Sequence, residues 1–204
     1  MIRLLVIDDH AIVRGGVRRL LAPEADIVCL EAESSEAAVA LIRGQPVDIA
    51  LLDLSLPGLG GPEAIRALIA AQPGLRVLVF STHAEPIYVR KSLEAGARGY
   101  VSKNAPPEEL TCAIRAVLRG RTYVEAELAE EMELRGPARA LDALTTRELE
   151  ILRLLARGRS LTQIADALGV AYKTVANTCT HIKEKLGVDH TADLIRLGVE
   201  SRLM

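Results

Sequence analysis

Asp8, Asp9, Asp53, Ser81 and Lys103 are the residues whose types and spacing can do chemistry together. Asp8-Asp9 follows the apolar run Leu4-Leu5-Val6-Ile7, and Asp53 follows Ile49-Ala50-Leu51-Leu52. Ser81 follows Val77 to Phe80, and Lys103 follows Gly99-Tyr100-Val101-Ser102. Apolar runs this short suit strands buried on both faces of a parallel sheet, and open α/β sheets place their ligand sites at the carboxyl ends of such strands. With the first and third strands as neighbours, three carboxylates converge in one crevice and repel one another unless a cation offsets them. Hard carboxylate oxygens suit Mg²⁺. A hydroxyl and an ammonium beside such a site are what a transferring phosphoryl group needs. An aspartate can take that group as an aspartyl phosphate, and Asp53, on the central strand, is the expected acceptor. Any one of these acids alone would read as a strand-end turn residue. Five matching groups at the expected strand ends weigh against that reading.

The elements that must position these residues alternate strictly. Strand-like runs at Arg3–Ile7, Ile27–Leu30, Ile49–Leu52, Val77–Phe80 and Gly99–Ser102 are each followed by a stretch of helical period. The helices run over Ala11–Leu21, from Ser34 or Ser35 to Arg43, Pro62–Ala71, Pro86–Ala95 and Pro106–Arg119. Ser caps, early prolines and closing glycines mark their ends. Five strands alternating with five helices predict a flavodoxin-like parallel sheet with helices on both faces over 1–120.

Residues 121–141 are acidic, with Glu125, Glu127, Glu130, Glu131 and Glu133, and read as a linker with a possible short helix ended by Gly136-Pro137. No strand signal follows. Over 142–204, four helices are expected: Thr146–Ala156, Ser160–Leu168, Tyr172–Leu186 and Thr191–Ser201, with Gly158, Gly169 and Gly187 between them. The middle pair reads as a helix-turn-helix, whose second helix would lead with Lys173, Thr174, Ala176, Asn177 and Thr180. Val175, Cys179, Ile182 and Leu186 fall on its core face, and Lys183 and Lys185 are placed to reach phosphates. A helical dimerisation module would share the helix-Gly-helix pattern.

Composition sets the limits. The 204 residues are 50% hydrophobic and carry a net charge of −2, so bulk charge gives no pointer to nucleic acid. No apolar run approaches the roughly 18 residues of a membrane span. The N-terminus goes straight into a strand-like run, so a cytoplasmic protein is expected. Cys29, Cys112 and Cys179 are far apart in apolar surroundings and read as lone buried thiols.

Asp8-Asp9, Asp53, the Pro57-Gly58 loop, Ser81 and Lys103 together resemble the receiver domain of two-component response regulators over Met1 to about Gly120. A second set covers Leu144 to about Val199 and resembles the LuxR-type DNA-binding domain. It comprises Leu144-Thr145-Thr146-Arg147-Glu148, Ile151-Leu152, Ile164-Ala165, Leu168-Gly169-Val170, Lys173-Thr174-Val175, Asn177 and Lys185-Leu186-Gly187-Val188. The whole chain is thus similar to a NarL/FixJ-type response regulator, a phosphoacceptor regulator rather than an enzyme.

The resemblance implies that a sensor histidine kinase phosphorylates Asp53. It implies Mg²⁺ on Asp9, Asp53 and the Ser55 backbone carbonyl, with Asp8 assisting largely through water. Ser81 and Tyr100 would be switch residues, with Ser55 and His83 at positions that tune phosphate lifetime. His10 reads as a helix-start residue at the rim. Activation would bring a homodimer onto double-stranded DNA, with contacts from Thr162, Lys173, Thr174, Ala176, Asn177, Thr180 and Lys183. Helices near Ala11–Leu21 and Pro107–Arg119 are candidate receiver contacts. Thr82, Thr146, Ala176 and Thr178 depart from the family pattern, the last two by removing basic residues. That loss leaves a protein-binding adaptor as the alternative. A Mg²⁺-dependent hydrolase is a weaker one, since no substrate pocket or extra base is visible.

Overall fold

The structure is a computed structural model and describes residues 1–135, 141, 143–201 and 203. The chain divides into two compact units, Met1–Leu134 and Arg135–Met204.

Unit 1 contains β1 (Ile2–Ile7), α1 (Ala11–Leu20), β2 (Ile27–Ala32), α2 (Ser35–Gly44), β3 (Ile49–Leu52) and α3 (Gly61–Ala71). These are followed by β4 (Arg76–Ser81), α4 (Pro86–Glu94), β5 (Gly99–Ser102), α5 (Pro107–Leu118), β6 (Tyr123–Val124) and α6 (Ala126–Arg135). The sheet is parallel in the order β2-β1-β3-β4-β5-β6. Ser34 caps α2 by accepting from the Ala37 N–H at 3.1 Å, and prolines begin α4 and α5. One face of the sheet contributes Leu4, Val6, Ile49, Leu51 and Leu78 to a core closed by Val17 and Leu21 near α1 and by Leu110, Ala113, Ile114 and Val117 of α5. All of β3 is buried, as its unbroken apolar run requires.

The sheet has one strand more than the periodicity predicts. Residues 123–124, read from sequence as linker, pair with β5, Gly99 opposite Tyr123 and Tyr100 opposite Val124. Gly99 makes room for this strand. A Cβ there would lie 2.7 Å from the Tyr123 carbonyl oxygen and 2.8 Å from Leu78 Cδ1, closer than atoms approach. The acidic stretch then forms α6. The Gly136-Pro137 stop lies outside the described residues.

Unit 2 contains α7 (Thr146–Ala156), α8 (Leu161–Ala167), α9 (Tyr172–Leu186) and α10 (Thr191–Glu200). Capping boxes start α7 (Thr145 with Glu148) and α8 (Ser160 with Gln163), satisfying N–H groups that helix geometry leaves open. Thr146, where the resemblance expects proline, takes the first helical position of α7. The core holds Leu149, Leu152, Ile164, Val175, Ile182 and Leu194. Gly198 lets α10 approach α7, since a Cβ on it would sit 2.8 Å from Ala156 Cβ. Among the described residues, no helix is long and apolar enough to cross a membrane.

Candidate functional site

The carboxyl ends of β1, β3, β4 and β5 bring the five residues of the acidic motif to one edge. Ile7 pairs with Leu52, so Asp8 and Asp53 leave neighbouring strands at the same level. Both carboxylates are buried, and they share one partner. Lys103 Nζ lies 2.7 Å from Asp8 Oδ2 and 2.7 Å from Asp53 Oδ2. Burial pushes the Lys103 ammonium towards losing its proton, but Asp53 and then Asp8 outweigh it and raise its pKa above the ordinary value. The β5 backbone aims this side chain, with the Lys103 N–H donating to the Ser81 carbonyl at 2.8 Å.

Each acid has further contacts. Asp53 Oδ1 accepts from the Ser55 N–H at 3.2 Å. Asp8 Oδ1 accepts from the His10 N–H at 2.9 Å. His10 occupies the cap position of α1, as a helix-start residue should, and its Nδ1 lies 2.8 Å from Asp9 Oδ1. Asp8, Asp9 and His10 form one group with the reach to hold a metal ion. Three carboxylates against one fixed ammonium leave an excess of negative charge on hard oxygen donors. That donor set fits Mg²⁺.

The second ring of contacts surrounds Ser81 and Tyr100. Both are buried, and Ser81 Oγ accepts from the His83 N–H at 3.3 Å. Tyr100 is turned inward, its hydroxyl donating to the His83 carbonyl at 2.5 Å. The His83 ring stacks on Tyr88 with centroids 4.3 Å apart, and its Nε2 shares a hydrogen bond with Ser55 Oγ at 3.2 Å. His83 therefore links the Asp53 loop to the Ser81–Tyr100 pair.

Sequence reasoning did not find Arg14, which donates to the Asp8 carbonyl at 2.6 Å while its Nε pairs with Glu31 at 3.2 Å. An arginine within a helical stripe carries no signal for such a contact. Cys29 is half-buried and Cys179 buried, with both thiols raised in pKa by burial, but Cys112 is exposed, contrary to expectation.

In unit 2, Thr162, Lys173, Thr174, Asn177 and Thr180 are exposed, and Ala176 and Lys183 are partly so. Val175, Cys179 and Ile182 face the core as expected. The two later lysines are engaged within the protein. Lys183 Nζ donates to the Asp189 carbonyl at 3.2 Å, and Lys185 Nζ lies 2.7 Å from Glu148 Oε2.

The family model of the response regulator receiver domain matches residues 4–115, and that of the bacterial regulatory proteins of the luxR family matches 142–198. Response regulator UvrY of Escherichia coli K12 is 34% identical over 209 residues, spanning 100% of this chain and 96% of that protein. Transcriptional activator protein ExaE of Pseudomonas putida is 37% identical, over 98% and 97% of the two chains. Among solved structures, RcsB of Salmonella enterica serovar Typhimurium, bound to the promoter rprA in the presence of phosphomimetic BeF3⁻, superposes with a TM-score of 0.67. It is 27% identical, with 96% of this chain and 97% of that one covered. An acidic edge closed by a lysine and followed in sequence by a helix-turn-helix unit is thus matched along the whole chain, which belongs to the NarL/FixJ-type two-component response regulators with a LuxR-type DNA-binding domain.

Proposed function

We propose that Asp53 accepts a phosphoryl group from a sensor histidine kinase in the cytoplasm. Its phosphorylation controls homodimerisation of the protein and sequence-specific binding of unit 2 to double-stranded DNA. The observation that carries this reading is the Lys103 ammonium held 2.7 Å from both Asp8 and Asp53 at the sheet edge.

An Asp53 carboxylate oxygen attacks phosphorus, a P–O bond forms, the P–N bond to the kinase imidazole breaks, and the imidazole leaves with the bonding pair. Lys103 exchanges its Asp53 contact for a phosphoryl oxygen. The Ser81 hydroxyl leaves the His83 N–H and donates to a second oxygen, and Tyr100 follows the loop it is bonded to. Asp8, Asp9, Asp53 and the Ser55 carbonyl would hold Mg²⁺, which supplies positive charge to the crowded oxygens. The receiver in this way assists its own phosphoryl transfer and later hydrolysis.

In unit 2, Thr162, Lys173, Thr174, Ala176, Asn177, Thr180 and Lys183 are the proposed DNA contacts, with α9 in the major groove. Two copies on a two-fold site would supply the affinity that a helix poor in cations lacks. The test is intact mass and oligomeric state of wild type and Asp53→Asn, each with Mg²⁺ and acetyl phosphate. A phosphoryl adduct and a dimer are expected only in the wild type. Equal adduct on both proteins would remove Asp53 from its role.

A further inference from the structure

We infer that Glu125 is a positioning residue that ties the Lys103 end of β5 to the start of α6, and so passes the state of Asp53 to the segment leading into unit 2. This rests on the reading of Asp53 given above.

The ladder between β5 and β6 has an unusual last rung. The Tyr123 N–H donates to the Arg98 carbonyl at 3.0 Å and the Glu125 N–H to the Tyr100 carbonyl at 3.2 Å. A parallel ladder would continue with the Ser102 N–H donating to the Glu125 backbone carbonyl. That carbonyl is turned into α6 instead, where it accepts from the Ala129 N–H at 3.0 Å. The Glu125 side chain makes the rung in its place, with Oε2 accepting from the Ser102 N–H at 2.8 Å. One residue therefore holds the last residue of β5 through its side chain and the first turn of α6 through its backbone.

The rung sits next to the chemistry. Ser102 precedes Lys103, and Lys103 is bonded to Ser81 on its other side. Ser102 Oγ also accepts from the Asn104 N–H at 3.1 Å. Any displacement of Lys103 on phosphorylation pulls on the Ser102 amide, and Glu125 is what that amide holds. Glu125 is buried, so its carboxylate is costly to place there without a partner of this kind. A residue that merely completed the sheet would affect stability alone.

The test uses full-length wild type, Glu125→Ala, Glu125→Gln and Glu125→Asp with Mg²⁺ and acetyl phosphate. Adduct formation is read by intact mass. Affinity, with and without phosphodonor, is read on the DNA site selected from genomic fragments by the phosphorylated wild type. Glutamine keeps an acceptor at the same reach, and aspartate is one methylene too short but keeps the charge and the start of α6. The Ala and Asp variants are expected to take the adduct at the wild-type rate while the phosphorylation-dependent gain in affinity falls about fivefold, the scale of an ordinary coupling between sites. Glu125→Gln should retain the gain. The inference is overturned if Ala and Asp keep the full gain, or if adduct formation falls in step with it. Should Glu125→Ala fail to fold, Glu125→Asp decides by the same two readings. A wild type that takes no adduct or gains no affinity would instead defeat the function proposed for Asp53.

Discussion

Lys103→Met strips the acidic edge of the ammonium that two buried carboxylates share. In the wild type, Nζ lies 2.7 Å from an oxygen of each acid, with the Asp8 and Asp53 side chains only 3% and 2% exposed and that of Lys103 12%. Removing one partner of a buried ion pair costs about 3–5 kcal/mol, because a charge is left uncompensated in a low-dielectric site. The lower end applies here, since Asp9 opens the edge to water. A loss of about 3 kcal/mol in a unit of about 130 residues lowers its unfolding temperature by about 10 °C. Scanning calorimetry in EDTA measures this, with the transition of unit 2 as an internal reference. Adding Asp53→Asn to Lys103→Met should restore part of the loss, because it removes one of the stranded charges. The two substitutions are therefore expected to be non-additive by about 1–3 kcal/mol. Mg²⁺ should raise the transition of Lys103→Met more than that of wild type, since it replaces a missing positive charge. A melting temperature equal to that of wild type, or simple additivity in the double variant, would refute the view that Lys103 is the charge that makes this edge foldable.

Unit 2 offers two further tests. Lys173→Met should weaken binding to specific and random DNA alike and reduce the slope of log affinity against log salt by about one, as expected for one phosphate contact; an unchanged slope would remove Lys173 from the interface. Burial raises the Glu148 carboxyl pKa, but the hydrogen bonds from Lys185 and Thr145 more than offset it and leave it below the ordinary 4.5. Its contribution to stability is then full above pH 4.5 and is withdrawn as pH falls towards the lowered native value. The unit 2 transition should drop over that acidic range in wild type and lose this component in Glu148→Gln, measured by calorimetry between neutral and acidic pH.

The parts legible in the sequence are those written by local pattern. The unbroken apolar run before Asp53 suited a doubly buried strand, and short runs ending in Asp8-Asp9, Ser81 and Lys103 located the same edge three more times. The Thr145–Glu148 capping box was written in four consecutive residues. Cys112 was misread as buried although the pattern opposed it, since Leu110, Ala113, Ile114 and Val117 define the buried face of α5 and position 112 falls off it. The strand at 123–124 was not legible, because two residues have no period and the acidic run around them signals a linker. What admits it is Gly99, a residue on another strand.

Contacts between remote residues were the least legible, and they change what the recognition helix has to offer. From sequence, Lys183 and Lys185 are two cations on a DNA-reading helix. Packing of α9 beside the start of α7 instead brings Lys185 to Glu148, 37 residues away. The same carboxylate oxygen accepts from the Thr145 N–H at 2.7 Å, so the residue that caps α7 also fixes the far end of α9. Lys183 donates to the neutral Asp189 carbonyl at 3.2 Å and keeps its full charge. Among the described lysines of α9, Lys173 is the one whose side chain makes no ion pair or hydrogen bond, and it stands in the first turn of the helix. A helix with two unneutralised lysines, Lys173 and Lys183, gains little from counterion release in a single copy. The Lys185 charge is neutralised within unit 2 by Glu148, so the proposed binding by two copies would supply the cationic contacts that this helix lacks in a single copy.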